Sequence, residues 1–98
     1  MATTITLIYP AVDFDLKYYL NSHMPMVAKT WKNKGLTRWT VSEIDPSSGN
    51  STQCILEFTS ADAFQKAMAE DEAQIMGDIP NYTQGKPQII IGKIVGTS

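Results

Sequence analysis

His23 is the only histidine among the 98 residues of this chain, and its neighbours put it where an imidazole can move a proton. The run from Asp13 to Val27 reads as the start of a helix. Its apolar stripe is Leu16, Leu20, Val27 and Trp31, and His23 falls in the gap between Leu20 and Val27. Residues three and four apart share a helix face, so His23 points toward whatever that helix covers. An inward imidazole is either a core group satisfied by a hydrogen bond or a general base or acid lining a pocket. Burial lowers its pKa and favours the base. Pro25 follows closely. A proline inside a helix removes one hydrogen bond and clashes with the carbonyl four residues back, here that of Asn21. A kink or break is therefore expected at Asn21–Met24, and backbone atoms freed there would give a pocket polar anchors.

Other residues could share that chemistry. Tyr9 lies on a strand face with Ile5 and Leu7, and its hydroxyl could orient a phenolic or carbonyl substrate. It could equally be an amphipathic core residue with its hydroxyl at the surface. Trp31, on the stripe of His23, is a candidate for lining a substrate pocket. Asn81 and Tyr82 lie in a proline-flanked loop and could contact a ligand, although docking of the loop is the competing reading. Asp78 could brace that loop through backbone amides or orient His23 as a carboxylate does in a triad. With one histidine, one cysteine and no close cluster of ligating side chains, no metal site is expected. No cofactor is expected either: a glycine-rich phosphate loop and a Gly-x-Ser-x-Gly elbow are both missing, and a haem would have only His23 as an imidazole ligand. Cys54 sits between apolar strand neighbours and should be inert. The acidic run Glu70-Asp71-Glu72 reads as a solvated helix face.

The elements that must position these groups follow from periodicity. Alternation predicts a strand over Thr4–Tyr9, ended by Pro10. Asp13 or Asp15 caps the first helix, which runs to about Lys34 and stops at Gly35. A second strand covers Leu36–Ile44, with Trp39 and Val41 on one face and Leu36, Arg38 and Thr40 on the other. Asp45–Asn50 is a turn by composition, and Thr52–Phe58 completes a hairpin. Ser60 caps a second helix carrying Phe64, Ala67, Met68 and Ile75 and ending near Gly77. A loop with Pro80, Gly85 and Pro87 leads to a last strand, Gln88–Val95. The order β-α-β-β-α-β is the ferredoxin-like split pattern of an α+β fold: a four-stranded antiparallel sheet with both helices on one face. The whole chain, 1–98, is expected to be one domain.

The other sheet face has no helix to cover it, yet the strands place apolar residues on both sides. A solvated antiparallel face should be polar, and an exposed apolar patch marks an interface. The expectation is a homodimer packed sheet against sheet, with Trp39, Ile8 or Ile90 near the seam. Composition narrows the remaining partners. Hydrophobic residues make up 43% and charged residues 18%, too apolar for disorder. A net charge of −2 and a pI near 5.1 argue against nucleic acid and against an anionic membrane surface. One cysteine permits no internal disulfide, and Met1–Thr4 lacks the start of a signal peptide; a cytoplasmic location is expected.

Two segments carry a resemblance. Tyr9-Pro10, Phe14-Asp15, Tyr18-Tyr19 and His23-Met24-Pro25, followed by Asp78-Ile79-Pro80-Asn81-Tyr82-Thr83, resemble the EthD family over nearly the whole chain. The Asp-Ile-Pro-Asn-Tyr-Thr run is the specific part; His-x-Pro is shared across the wider dimeric α/β-barrel superfamily. The resemblance implies a homodimer whose two sheets close a barrel with the helices outside, and a cleft in each subunit between helices and sheet. The family's first-named member is linked to bacterial ether degradation, and similar fungal proteins are regarded as dehydratases or cyclases of polyketide assembly. Superfamily relatives include polyketide cyclases, cofactor-free quinone-forming monooxygenases, haem-degrading enzymes and lactone isomerases, so fold alone does not fix the chemistry. Two functions are expected. One is a cofactor-free enzyme (dehydratase, cyclase or oxygenase) on a small hydrophobic or aromatic, polyketide-like molecule, with His23 as general base. The other is a non-catalytic ligand-binding protein or accessory subunit of an oxidative degradation pathway.

Overall fold

The computed structural model describes residues 2–98. Strand β1 (Thr3–Pro10) is followed by a helix in three parts: α1 (Leu16–Tyr18), a π-helical turn (Tyr19–His23) and α2 (Met24–Trp31). Strands β2 (Leu36–Glu43) and β3 (Asn50–Phe58) form a hairpin, α3 (Ala61–Gly77) crosses back, and β4 (Gln88–Lys93) closes the sheet. All pairings are antiparallel and the strand order is β2-β3-β1-β4. This is the ferredoxin-like α+β arrangement, with both helices packed on one sheet face.

Local chemistry explains the boundaries. The Asp15 carboxylate accepts from the Tyr18 backbone N–H and caps α1, and the Ser60 hydroxyl does the same for Ala63 at the start of α3. Gly35, at φ +108°, turns the chain into β2; a Cβ there would meet Ala63 Cβ at 2.9 Å, so no side chain fits. The break expected at Asn21–Met24 is a π turn. The Met24 N–H bonds to the Tyr19 carbonyl, five residues back, and α2 restarts with Pro25 in its first turn, where a missing N–H does no harm.

That turn corrects the helix stripe. A π turn inserts one residue, so every side chain before it is rotated by about one position. Tyr19, not Leu20, lies one turn ahead of His23 on the inward face. Tyr19, His23, Met24, Val27 and Trp31 are buried, and Leu20 is exposed. The helix also ends at Trp31, with a turn before Gly35, rather than near Lys34.

A second correction concerns β2. Its register with β3 shifts between Leu36 and Arg38, so Leu36 pairs with Phe58, and Trp39 pairs with Leu56. Both therefore lie on the helix side. Trp39 does not belong to the open face, and the bulge is why simple alternation separated it from Leu36. The open face keeps Ile8, Ile55 and Ile90. Thr6 pairs with Ile55 on one side and Ile90 on the other, and Ile90 is 45% exposed.

The core lies between the helix-side sheet face (Ile5, Tyr9, Cys54, Leu56, Phe58) and the helices, where Trp31 meets Phe58 and Phe64 edge to face. Among the described residues no helix is long and apolar enough to cross a membrane.

Candidate active site

His23 is buried, with 4% of its surface exposed. Its Nδ1 lies 2.8 Å from Asp78 Oδ2. Asp78 follows directly on the last residue of α3 and is carried into reach by the turn Ile79–Asn81. Its second oxygen, Oδ1, accepts from the Tyr18 hydroxyl and from Asn81 Nδ2, each at 2.8 Å. Partial burial works against ionisation of this carboxyl, but the hydrogen bonds from Asn81, His23 and Tyr18 together outweigh it and hold its pKa below the usual range. An ionised carboxylate only accepts, so Nδ1 carries the hydrogen. Burial is the larger influence on His23 and pulls its pKa below the ordinary value, although Asp78 pushes the other way. The pair is thus a neutral imidazole donating to a carboxylate. Among the described residues Nε2 has no hydrogen-bond partner.

Tyrosines fix the ring. Tyr19 stacks on His23 at 5.2 Å and 14°, and the Tyr82 ring lies 4.8 Å from the imidazole, tilted by 55°. The Tyr82 hydroxyl lies 2.7 Å from that of Tyr9, both within the core. Desolvation raises the pKa of both phenols, so they stay protonated. In a hydroxyl pair one proton is used between the partners and the second is left to donate elsewhere.

His23, Tyr9 and Tyr82 border a cavity between the helices and the sheet, whose remaining wall is apolar and includes Met24, Met68 and Met76. By the space open to a water's centre it measures about 20 Å³, room for roughly one water. Among the described residues no three His, Cys, Asp or Glu side chains are grouped to hold a metal ion.

The sequence candidates divide accordingly. His23, Tyr9 and Tyr82 meet at the cavity, Asp78 lies behind His23 and touches it rather than the cavity, and the Tyr9 hydroxyl is buried against Tyr82 rather than at the surface. Asn81 is exposed and acts on Asp78. Trp31 reaches the cavity's far side, but its Nε1 donates to Asp71 Oδ2 at 2.9 Å. Asp71 also accepts from Lys34 Nζ at 2.7 Å, so it is not part of a purely solvated face. Cys54 is buried and its thiol is pushed up to about 11 by desolvation. Tyr18 and Tyr19 were absent from the expected site. The π turn, which composition does not announce, is what carries Tyr19 onto the ring.

No protein-family model matches the chain, and no curated protein matches it. Solved structures do. An EthD-like protein from Ralstonia eutropha superimposes with a TM-score of 0.87 at 29% identity, over 99% of this chain and 95% of that one. An ethyl tert-butyl ether degradation (EthD) family protein from Bacillus halodurans gives 0.75 at 23%, over 97% and 100%. SnoaB, a cofactor-independent oxygenase from Streptomyces nogalater in its N63A form, gives 0.75 at 17%, over 98% and 95%, a likeness of fold. The His23-Met24-Pro25 and Asp78–Thr83 segments are brought together at one imidazole–carboxylate pair, on a fold shared end to end with the Ralstonia protein. Over nearly its whole length the chain is similar to EthD-like proteins.

Proposed function

We propose that this protein acts without a cofactor on a small hydrophobic molecule, aromatic or polyketide-like, with His23 as general base. The observation that carries the reading is the 2.8 Å contact from His23 Nδ1 to Asp78 Oδ2 at the edge of an apolar cavity. Asp78 fixes the tautomer, so Nε2 holds the lone pair. Nε2 takes a proton from an acidic C–H or phenolic O–H, and the imidazolium that forms is stabilised by the Asp78 carboxylate. Charge left on the substrate oxygen is met by the second proton of the Tyr9–Tyr82 hydroxyl pair, in a site too dry to screen it. The resulting anion can expel a hydroxyl group as water, with the proton returned from the His23 imidazolium, close a ring or, with dioxygen as the oxidant, be oxygenated. The fold likeness to a cofactor-independent oxygenase is compatible with the last of these.

A second reading, a binding protein or accessory subunit, is favoured by the cavity's size. At about 20 Å³ it admits no aromatic ring unless its wall moves. Methionines are flexible enough to repack around a guest, and Met24, Met68 and Met76 all line it. Native mass spectrometry of the protein as purified, followed by turnover of any ligand found, separates the readings. Turnover that vanishes in His23→Ala supports the enzyme; a ligand released unchanged by the wild type leaves the binding protein.

The same proposal includes a homodimer. Ile8, Ile55 and Ile90 form an apolar strip on the face that no helix covers, and a second copy would bury it. Light scattering at low micromolar concentration should give twice the chain mass; a soluble monomer sinks this part. The single, buried cysteine fits a cytoplasmic setting.

A further inference from the structure

Next to the cramped cavity lies an open groove of about 470 Å³. The two spaces share two lining residues, Met76 and Ile79. These flank Asp78, the partner of His23. We propose that Met76 and Ile79 are the gate between the groove and the cavity, and that the groove holds the tail of a rod-shaped aromatic ligand whose tail bears an anionic group facing Lys86. This rests on the reading of His23 as the reactive end and names the kind of molecule that reaches it.

Three observations support the assignment. The first is size. The inner cavity takes one water, so any organic ligand touching His23 must extend beyond it, and the adjoining space has the volume that ligand sites usually have. The second is chemistry. The groove wall is largely apolar, from Met76, Ile79, Pro80 and Pro87, and its one charged side chain is Lys86. Among the described residues Lys86 enters no ion pair. The third is rigidity. The Thr83 hydroxyl donates to the Val12 carbonyl at 2.8 Å and accepts from the Gly85 N–H at 3.2 Å. Gly85 also packs so closely on Pro10 that a Cβ would lie 2.5 Å from its Cγ. The groove's far wall is therefore fixed, while Met76, an unbranched side chain, supplies the moving part. Motion of Met76 or Ile79 acts on the chain on either side of Asp78, so admitting a ligand and aligning the His23 ring are linked.

The test uses two probes, 2-naphthol and 6-hydroxy-2-naphthoate, which differ by a carboxylate at the end opposite the hydroxyl. Binding is followed by naphthol fluorescence and by the imidazole NMR signal, which is single because His23 is the only histidine. In the wild type the carboxylate probe should bind roughly tenfold more tightly, the value of one charge-assisted contact, and both probes should shift the His23 signal. Lys86→Gln should abolish that preference. Met76→Trp and Ile79→Trp should each weaken both probes at least tenfold, while Met76→Leu, of similar volume, keeps them. Equal affinities for the two probes, a preference that survives Lys86→Gln, binding that Met76→Trp leaves unchanged, or no saturable binding up to 1 mM would each overturn the proposal. Circular dichroism confirms that each variant is folded. Because the readout is binding, a His23→Ala protein that keeps its activity would sink the general-base role and leave this assignment standing.

Discussion

Two bridges tie the first helix to α3, and they are built alike. At one end His23 Nδ1 meets Asp78 Oδ2 at 2.8 Å; at the other, eight residues along, Trp31 Nε1 donates to Asp71 Oδ2 at 2.9 Å. Each joins a buried ring N–H to a carboxylate at or near the second helix. The difference lies in what the ring can do next. An indole nitrogen only donates and never titrates in water. Its carboxylate is also shared with Lys34, which neutralises it at the surface. The imidazole has a second nitrogen, and its carboxylate is surrounded by neutral donors, Tyr18 and Asn81. One geometry is a structural tie; the other leaves a second ring nitrogen able to accept a proton, and the choice of ring makes that difference.

The largest effect expected from breaking this pair of bridges is on turnover. His23→Ala and Asp78→Asn should each reduce activity by roughly a hundred- to ten-thousand-fold, with the fold retained by circular dichroism. Asp78→Asn is the sharper change, because an amide can donate to Nδ1 and invert the tautomer. Activity that survives both changes would reduce the His23 bridge to the status of the Trp31 one.

At the other end the effect should be on stability. Trp31→Ala removes a fully buried ring and should cost about 3–5 kcal/mol in urea unfolding. Asp71→Asn should lower the melting temperature without altering the pH–rate profile. A change in that profile would mean that the two bridges are coupled through α3.

How much of this was legible in the sequence follows the same division. Strands, caps and helix order were readable because they rest on local periodicity and on single residues such as Ser60, Asp15 and Gly35. The face occupied by His23 was readable because α2 is regular from there on. Leu20 was misread because a π turn shifts the phase of everything before it, and Leu36 and Trp39 because a bulge does the same in a strand. The Asp78 contact, 55 residues away, was readable only as a possibility, since no local rule reaches across a fold. Asp71 was misplaced among its charged neighbours because Trp31, its reason for turning inward, is 40 residues away in sequence. The width of the cavity has no sequence signature at all.

A smaller test separates the hydroxyl pair from both bridges. Tyr9→Phe or Tyr82→Phe alone leaves a buried hydroxyl without its partner and should cost about 1–3 kcal/mol. The double change removes both groups and should cost less than the two single losses added together. Simple additivity in urea unfolding would mean that the 2.7 Å contact contributes nothing to stability.

The last and smallest effect is the pH dependence of stability, and it distinguishes the bridges by sign and window. The folded-state pKa of His23 lies below the ordinary value of 6.5 because its ring is buried. As pH falls below 6.5 the unfolded chain therefore takes up a proton that the folded chain refuses, and stability is lost until the folded-state pKa is passed. A single group gives a slope of at most about 1.4 kcal/mol per pH unit. Asp71 and Asp78 have folded-state pKa values below 3.8, so their contributions are intact above that pH and fade only as pH falls further. Between pH 6.5 and about 5 the slope should thus come from the His23 end alone. Urea unfolding across that range should show stability rising with pH in the wild type and in Asp71→Asn, and a flat line in His23→Gln. A slope that persists in His23→Gln would assign the proton to another group, and a flat wild-type line would mean that the imidazole keeps its solution pKa, as a ring open to water does.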